Sequence, residues 1–165
     1  MSIVETIAAA VKPWNELYAN SKPISEGVLF VHLGSLLVGG GFAVASDRMA
    51  LRARSGSVDE RRRLLDEFAG IHRPVIIALC FMAASGLAML LADVETFLPS
   101  PVYWTKMTLV ALLLANGYLV TRTERALTVN PSDSNPLWGR LTAVSIASLT
   151  LWLSTTLMGV ILAGS

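Results

Sequence analysis

Long apolar stretches alternate with short polar links along this chain. Residues 27–46, 74–92 and 141–165 contain no Asp, Glu, Lys or Arg, and residues 102–121 contain Lys106 alone. Because a helix rises 1.5 Å per residue, about 20 residues cross the ~30 Å hydrocarbon core of a bilayer. The pattern therefore predicts four membrane-spanning helices, at about residues 25–46, 74–92, 102–121 and 141–163.

The links between the predicted spans indicate how the helices pack. The link after the second span covers residues 93–101, and the link after the third covers residues 128–136. Short links force consecutive spans to run antiparallel. The predicted fold class is therefore all-α, an integral membrane four-helix bundle with up-down-up-down order. Residues 1–165 are predicted to form one membrane domain.

Two shorter helices are predicted outside the spans. Within residues 1–23, an apolar stripe at helical spacing predicts a helix lying in the outer membrane interface, bent at Pro13. In the link before the second span, Ser57 suits the N-cap of a short amphipathic helix. Gly70 and Pro74 then either separate this helix from the second span or kink it into that span.

Composition narrows the class of protein. Apolar residues make up 53% of the chain and charged residues 15%, against about 25% charged residues in typical soluble domains. The four spans use more than half of the chain, which leaves too little for a soluble catalytic domain. The net charge of +1 gives no sign of a nucleic-acid partner. The expected partners are the lipid bilayer and either other membrane subunits or further copies of this chain.

Positive charges are divided unequally between the two sides of the predicted membrane. Ten of the 13 Lys and Arg residues fall in links 47–73 and 122–140, and the other three are Lys12, Lys22 and Lys106. Because positively charged links stay in the cytoplasm, both termini are predicted to lie outside. The expected location is the bacterial inner membrane, with periplasmic termini.

His32 is the main candidate for chemistry, because ionisable residues inside a membrane are costly and mark functional sites. Ser35 and Gly39 share its helix face at about 100° per residue. This small-residue face suits a cofactor site in which a porphyrin lies flat against the glycine surface. It equally suits a histidine that is hydrogen-bonded to a neighbouring helix.

Three methionines are predicted in the same layer as His32, and they are Met89, Met107 and Met158. Imidazole and thioether groups ligate copper(I), and a His/Met pair is also an axial ligand set for haem. We therefore interpret His32 with these methionines as a candidate metal site for haem b or, alternatively, copper. Methionine is also common in apolar helices, so a chance arrangement is the competing interpretation.

Other polar positions favour structural roles. His72 is predicted at the opposite membrane boundary, near Asp47 or acidic head groups, about 18–25 Å from His32 along the membrane normal. The two histidines therefore cannot share one iron. Lys106 is expected to extend to the outer surface, and Asn116 to contact a neighbouring helix. A stripe on the fourth span is also expected to form interhelical contacts, and it consists of Ser145, Ser148, Trp152, Thr156 and Gly159.

Several short motifs carry a family resemblance. They are Val31-His32-Leu33-Gly34, Asp47-Arg48, Ser85-Gly86, Trp104-x-Lys106-Met107, Asn116 and Ser148-Leu-x-Leu-Trp152. Over roughly residues 28–162 the chain resembles an uncharacterised family of small bacterial four-helix inner-membrane proteins. More distantly, it is similar to the copper resistance D membrane domain and to b-type cytochrome four-helix bundles. Those cytochromes place two histidines at matching depths and this chain does not, so the resemblance implies His32 alone as a ligand.

These observations lead to two competing functional hypotheses. The first is a small membrane protein that binds haem b or a related metal centre through His32 near the outer face, for electron transfer or metal handling. The second is a non-catalytic accessory subunit that packs against larger membrane partners. A small-molecule pocket of the transporter kind is a third, weaker hypothesis. No nucleophile with its base is visible in the sequence, so independent catalytic activity is not expected.

Overall fold

The computed structural model describes residues 3–53, 56–129 and 136–164, and the secondary structure within them is helical. Six helices follow one another in these ranges: α1 (Ile3–Asn20), α2 (Lys22–Ala53), α3 (Val58–Ala92), α4 (Val94–Phe97), α5 (Pro101–Val129) and α6 (Leu137–Ala163). The all-α prediction is confirmed. The predicted link 128–136 lies largely outside the described residues.

Three of the described helices, α2, α3 and α6, are long and apolar enough to cross a membrane. The prediction of a membrane protein with transmembrane helices is confirmed at this level. Helix α5 contains the predicted span 102–121 and is 29 residues long, but it is not among the helices that are apolar enough to cross a membrane. Polar residues such as Lys106 and Asn116 interrupt its apolar sequence.

Helix α3 joins two predicted elements into one continuous helix. Ser57 is its N-cap, as predicted, and forms a capping box in which the Ser57 side chain accepts from the Glu60 amide and the Glu60 side chain accepts from the Ser57 amide. The helix then continues through Gly70 and Pro74. Proline removes one backbone hydrogen bond, but its preferred φ is helical and the flanking turns hold the helix together. The short helix and the second predicted span are therefore one continuous helix across Pro74.

Helix α2 runs antiparallel to both α3 and α6. His32 in the first half of α2 contacts Ser85 near the end of α3, and Gly39 contacts Ala78 one level further on. Gly39 and Gly40 also face Trp152 of α6. Small residues at these positions allow close approach of the three helices, as is typical of helix packing in membranes.

Helix α5 runs antiparallel to α6 and touches α3 much less. Asn116 Nδ2 donates to the Val144 carbonyl oxygen at 2.9 Å, so the predicted interhelical role of Asn116 is observed. At the other end of this pair, Lys106 lies against Gly159. The contact between α3 and α5 is small compared with those of α2 with α3 and of α5 with α6. The result is an open seam between α3 and α5.

The buried apolar core lies at the end of the molecule where α2 ends and α3 begins. Its members come from four helices and are Ala50, Ala53, Leu65, Phe68, Leu127, Trp138 and Leu141. Arg61 crosses this region, where its Nε donates to the Ala53 carbonyl oxygen at 2.9 Å and its guanidinium lies 4.9 Å from the centre of the Trp138 ring. Cation–π contact of this kind favours Arg over Lys.

Helix α1 packs against the opposite end of the molecule. Trp14 Nε1 donates to the Ala88 carbonyl oxygen at 2.8 Å, and the Asn15 amide donates to the Ala92 carbonyl oxygen. None of its residues is buried. The predicted N-terminal helix therefore exists and is attached to the end of α3 by polar contacts rather than by a core. A single helical turn, α4, lies within the predicted link 93–101.

Candidate functional site

The His32 imidazole lies in the contact between α2 and α3. Its Nδ1 is 3.1 Å from the Met82 carbonyl oxygen and 3.0 Å from Ser85 Oγ. The Ser85 hydroxyl donates to the Phe81 carbonyl oxygen at 2.7 Å, which leaves its oxygen free to accept. Since both neighbours of Nδ1 act as acceptors, Nδ1 carries the hydrogen. In the neutral ring, the lone pair is therefore on Nε2.

Gly86 sets the distance between His32 and α3. A Cβ atom at this position would lie 3.2 Å from His32 Cε1, which is tighter than ordinary van der Waals contact. Any larger residue at position 86 would therefore displace the ring or the helix. The sequence singled out Ser85-Gly86 only as part of a family resemblance, and the structure gives both residues a direct role in holding His32.

The His32 face continues to Gly39, as the helical spacing predicted, with half-buried Ser35 between them. A Cβ atom on Gly39 would lie 3.1 Å from Ala78 Cβ and 3.9 Å from the Trp152 ring. The space over Gly39 is therefore occupied by side chains of α3 and α6. The structure brings His32, Ser35 and Gly39 together along one helix interface.

The three candidate methionines lie half-buried on α3, α5 and α6. Met89 is one turn beyond Gly86, while Met107 and Met158 directly neighbour Lys106 and Gly159 in sequence. Lys106 Nζ lies 3.5 Å from the place of a Cβ on Gly159, and its charge acts on His32. The contacts described for His32 come from Met82, Ser85 and Gly86, and the placement of the three methionines in its layer stays a prediction. The side chain of Lys106 on α5 is half-buried and lies against Gly159 of α6. The sequence predicted instead that it extends to the outer surface.

A second polar group lies far from His32, where the seam between α3 and α5 is bridged by a charged pair. His72 Nε2 is 2.8 Å from Glu124 Oε2, and Glu124 is only 4% exposed. The predicted neighbour of His72 was Asp47 or a head group, and the observed partner is Glu124. Helix α5 extends to Val129, beyond the predicted span end at residue 121, and this extra length carries Glu124 to His72.

The environment of His72 favours its charged form. His72 precedes the apolar segment 74–92 and lies outside it. The hydrogen bond with Glu124 raises the pKa of His72 above its ordinary value, against the opposing effects of burial and of Arg125. The imidazolium and the carboxylate therefore form an ion pair that joins α3 to α5.

A pocket of about 440 Å³ opens beside this pair in the α3–α5 seam. His72, Arg73, Glu124 and Arg125 provide its polar lining, and Phe68 is among its apolar residues. The pocket exists because α3 and α5 have few contacts here. The pocket is therefore lined by both charged and apolar side chains, and it lies where the apolar segment of α3 begins.

Asp47 forms a further buried polar group with α6. It is 3% exposed, and the buried Ser145 and Ser148 act on its carboxylate from α6. The predicted stripe on α6 is present in Ser145, Ser148 and Trp152, but its next buried member is Thr155 and not Thr156. Thr156 is exposed, and its hydroxyl donates a hydrogen bond to the Trp152 carbonyl oxygen at 2.8 Å.

Sequence reasoning missed Asp47 and Glu124 as members of a site. Each acid lies within three residues of a predicted span end, at 46 and 121, so the sequence pattern assigns it to a polar link. The helical spacing of Ser145 and Ser148 was a usable signal, because it presents two hydroxyls on one face. Nothing in the sequence pairs those hydroxyls with Asp47, since their contact depends on how α2 packs against α6.

Within the described ranges, no three His, Cys, Asp or Glu side chains are grouped so that they could hold a metal ion. A metal centre at His32 would therefore depend on one imidazole together with thioether ligands or an added group. Among known protein-family models, curated proteins and solved structures, none matches this chain. The resemblance to small bacterial inner-membrane proteins stays a prediction.

Proposed function

We propose that this chain is a multi-pass protein of the bacterial inner membrane, in which α5 spans the membrane in addition to α2, α3 and α6, and both termini lie outside. The antiparallel contacts of α2 with α3, α2 with α6 and α5 with α6 support an up-down-up-down bundle. Large apolar side chains are exposed along the long helices, including Phe30 and Leu37 at 77% each and Leu153 at 72%. Such surfaces are stable against lipid chains. The ten-to-three distribution of positive charges supports the orientation.

We further propose that His32 ligates a metal centre near the outer face, for electron transfer or metal handling. The observation that carries this proposal is the Met82 carbonyl oxygen 3.1 Å from His32 Nδ1, because a carbonyl oxygen can only accept a hydrogen bond. Metal-ligating histidines donate one ring N–H to a carbonyl or similar acceptor, which fixes the ring and directs the other nitrogen to the metal. His32 donates Nδ1–H to Met82 and Ser85, and its Nε2 carries the lone pair.

Haem b fits this layer better than a bare copper ion. Lys106 places a positive charge near His32, which opposes a free cation and complements the carboxylate groups of haem. Met89, Met107 and Met158 are the candidates for the second ligand. Haem would supply the one-electron chemistry, and His32 would hold and orient it. Gly39 takes no part in this arrangement, because Ala78 and Trp152 cover it.

An accessory subunit is the second candidate function, and a separate observation favours it. The close contacts of Gly39 with Ala78 and of Gly86 with His32 explain these small residues by helix packing alone. In this proposal the chain carries no cofactor, and its exposed apolar faces contact partner subunits of a larger membrane complex. His32 then serves as an interhelical hydrogen-bond donor.

An absorbance spectrum with metal analysis on gently solubilised protein distinguishes the two candidates. A His32 centre predicts a Soret band, or bound copper, that is lost in His32→Ala and retained in the matched variant His72→Ala. Because one remaining ligand holds haem weakly, added imidazole should partly restore the band in His32→Ala. Colourless, metal-free wild-type protein, or a spectrum that His32→Ala leaves unchanged, would reject the metal centre and leave the accessory subunit.

A further inference from the structure

The proposed function does not use the buried acids at the inner end of the bundle. Asp47 and Glu124 are 3% and 4% exposed, and Ser145 is 0% exposed. A buried carboxylate is expensive unless it is paired with a positive charge or coordinates a metal ion. Asp47 and Glu124 lie close enough for their charges to interact. Some neighbouring group must therefore neutralise them.

Glu124 has a partner and Asp47 lacks an equivalent one. His72 pairs with Glu124 at 2.8 Å, so these two groups are together neutral when His72 is protonated. The groups that act on Asp47 are the hydroxyls of Ser148 and Ser145, which are uncharged, and Glu124, which repels it. One negative charge is therefore left without a counter-charge among the described neighbours of Asp47.

Three arginines at this end have other contacts. Arg61 donates to the Ala53 carbonyl oxygen and stacks on Trp138. Arg73 and Arg125 line the pocket between α3 and α5, whereas Asp47 lies between α2 and α6. The charge of Asp47 is therefore not balanced by these three side chains.

Asp47 and two of the residues that act on it carry oxygen atoms without hydrogen-bond partners. Asp47 Oδ2, Glu124 Oε1 and Ser145 Oγ are all inaccessible to solvent and have no hydrogen-bond partner among the described residues. Buried polar atoms are normally satisfied by protein, water or an ion. A buried carboxylate with an unpartnered oxygen and hydroxyl groups that act on it provide a ligand set for a hard cation, since such cations prefer oxygen ligands.

We propose that Asp47, Ser145 and Ser148 form a binding site for a sodium ion between α2 and α6, with Glu124 Oε1 at its edge. The charge balance selects a monovalent ion, because Asp47 contributes one negative charge and the Glu124–His72 pair contributes none. The ion connects a carboxylate on α2 to hydroxyls on α6. Its binding therefore stabilises the contact between these helices.

Thermal unfolding of the full chain in dodecyl maltoside tests the site. We expect the melting temperature to rise by several degrees as NaCl replaces choline chloride at constant ionic strength, and to saturate, because the folded state alone binds the ion. KCl should have a much smaller effect. Direct binding of ²²Na⁺ should approach one ion per chain.

Two variants and one control keep the test decisive. Asp47→Asn should lose the sodium-dependent shift and ²²Na⁺ binding, whereas Asp66→Asn, an exposed acid on α3, should retain both. If Asp47→Asn does not fold, Ser145→Ala removes one ligand without a charge change and should raise the sodium midpoint at least tenfold. Equal melting temperatures in Na⁺, K⁺ and choline overturn the proposal. A melting temperature that depends on pH but on no cation also overturns it, and assigns a proton to Asp47 instead.

Discussion

His72 Nε2 lies 2.8 Å from Glu124 Oε2, and this pair bridges α3 and α5 where the two helices have few other contacts. The pair therefore has a larger share in holding α3 against α5 than a similar pair would have inside a tight interface. Both residues also line a pocket of about 440 Å³.

The first prediction concerns the pH dependence of stability. The pKa of His72 is raised in the folded protein by Glu124, so the folded state binds the proton more tightly than the unfolded state. The stabilisation is fully present below the unfolded value, which is about 6.5, and is lost as pH rises through the folded value. Melting temperatures in detergent from pH 5.5 to 9 should therefore decline with pH in wild-type protein.

His72→Gln should flatten this decline, because glutamine does not titrate. Arg73→Gln changes a neighbouring exposed side chain and should keep the wild-type slope. If His72→Gln shows the same pH profile as wild-type protein, another group is responsible for the dependence.

The second prediction concerns helix packing at Gly39. A Cβ there would meet Ala78 at 3.1 Å, whereas Gly41 on the same helix has nothing within 4 Å. Gly39→Leu should destabilise the protein by about 1–3 kcal/mol through overpacking. Gly41→Leu serves as the matched control and should have little effect. Unfolding titrations in mixed detergent micelles measure both, and equal stability of the two variants would mean that α2, α3 and α6 do not meet at Gly39.

The third prediction tests the proposed orientation in the membrane. In a Cys80→Ser background, single cysteines are introduced as Glu67→Cys, Gly139→Cys and Asn20→Cys, all at exposed positions. An impermeant thiol reagent added to intact cells should label the cysteine at position 20 and spare the other two until the membrane is permeabilised. Labelling of position 67 or 139 in intact cells would reverse the assignment of inside and outside.

The sequence by itself determined the helical class, the membrane character and the helix cap at Ser57. Each of these depends on local chemistry. Uncharged stretches of about 20 residues satisfy their backbone polar groups only as helices in lipid. The Ser57 cap needs only Glu60, three residues away. Helix periodicity also related His32 to Gly39, because both lie on one element.

Only the tertiary structure decided which groups meet. The partner of His72 depends on the length of α5, and the surroundings of Asp47 depend on the rotation of α6 against α2. Helical spacing predicted Thr156 in the buried stripe, whereas the packed structure buries Thr155. The hydrogen on His32 Nδ1 was likewise decided by acceptors 50 and 53 residues away in sequence. These contacts join separate helices, and no periodicity within one helix specifies the register between two.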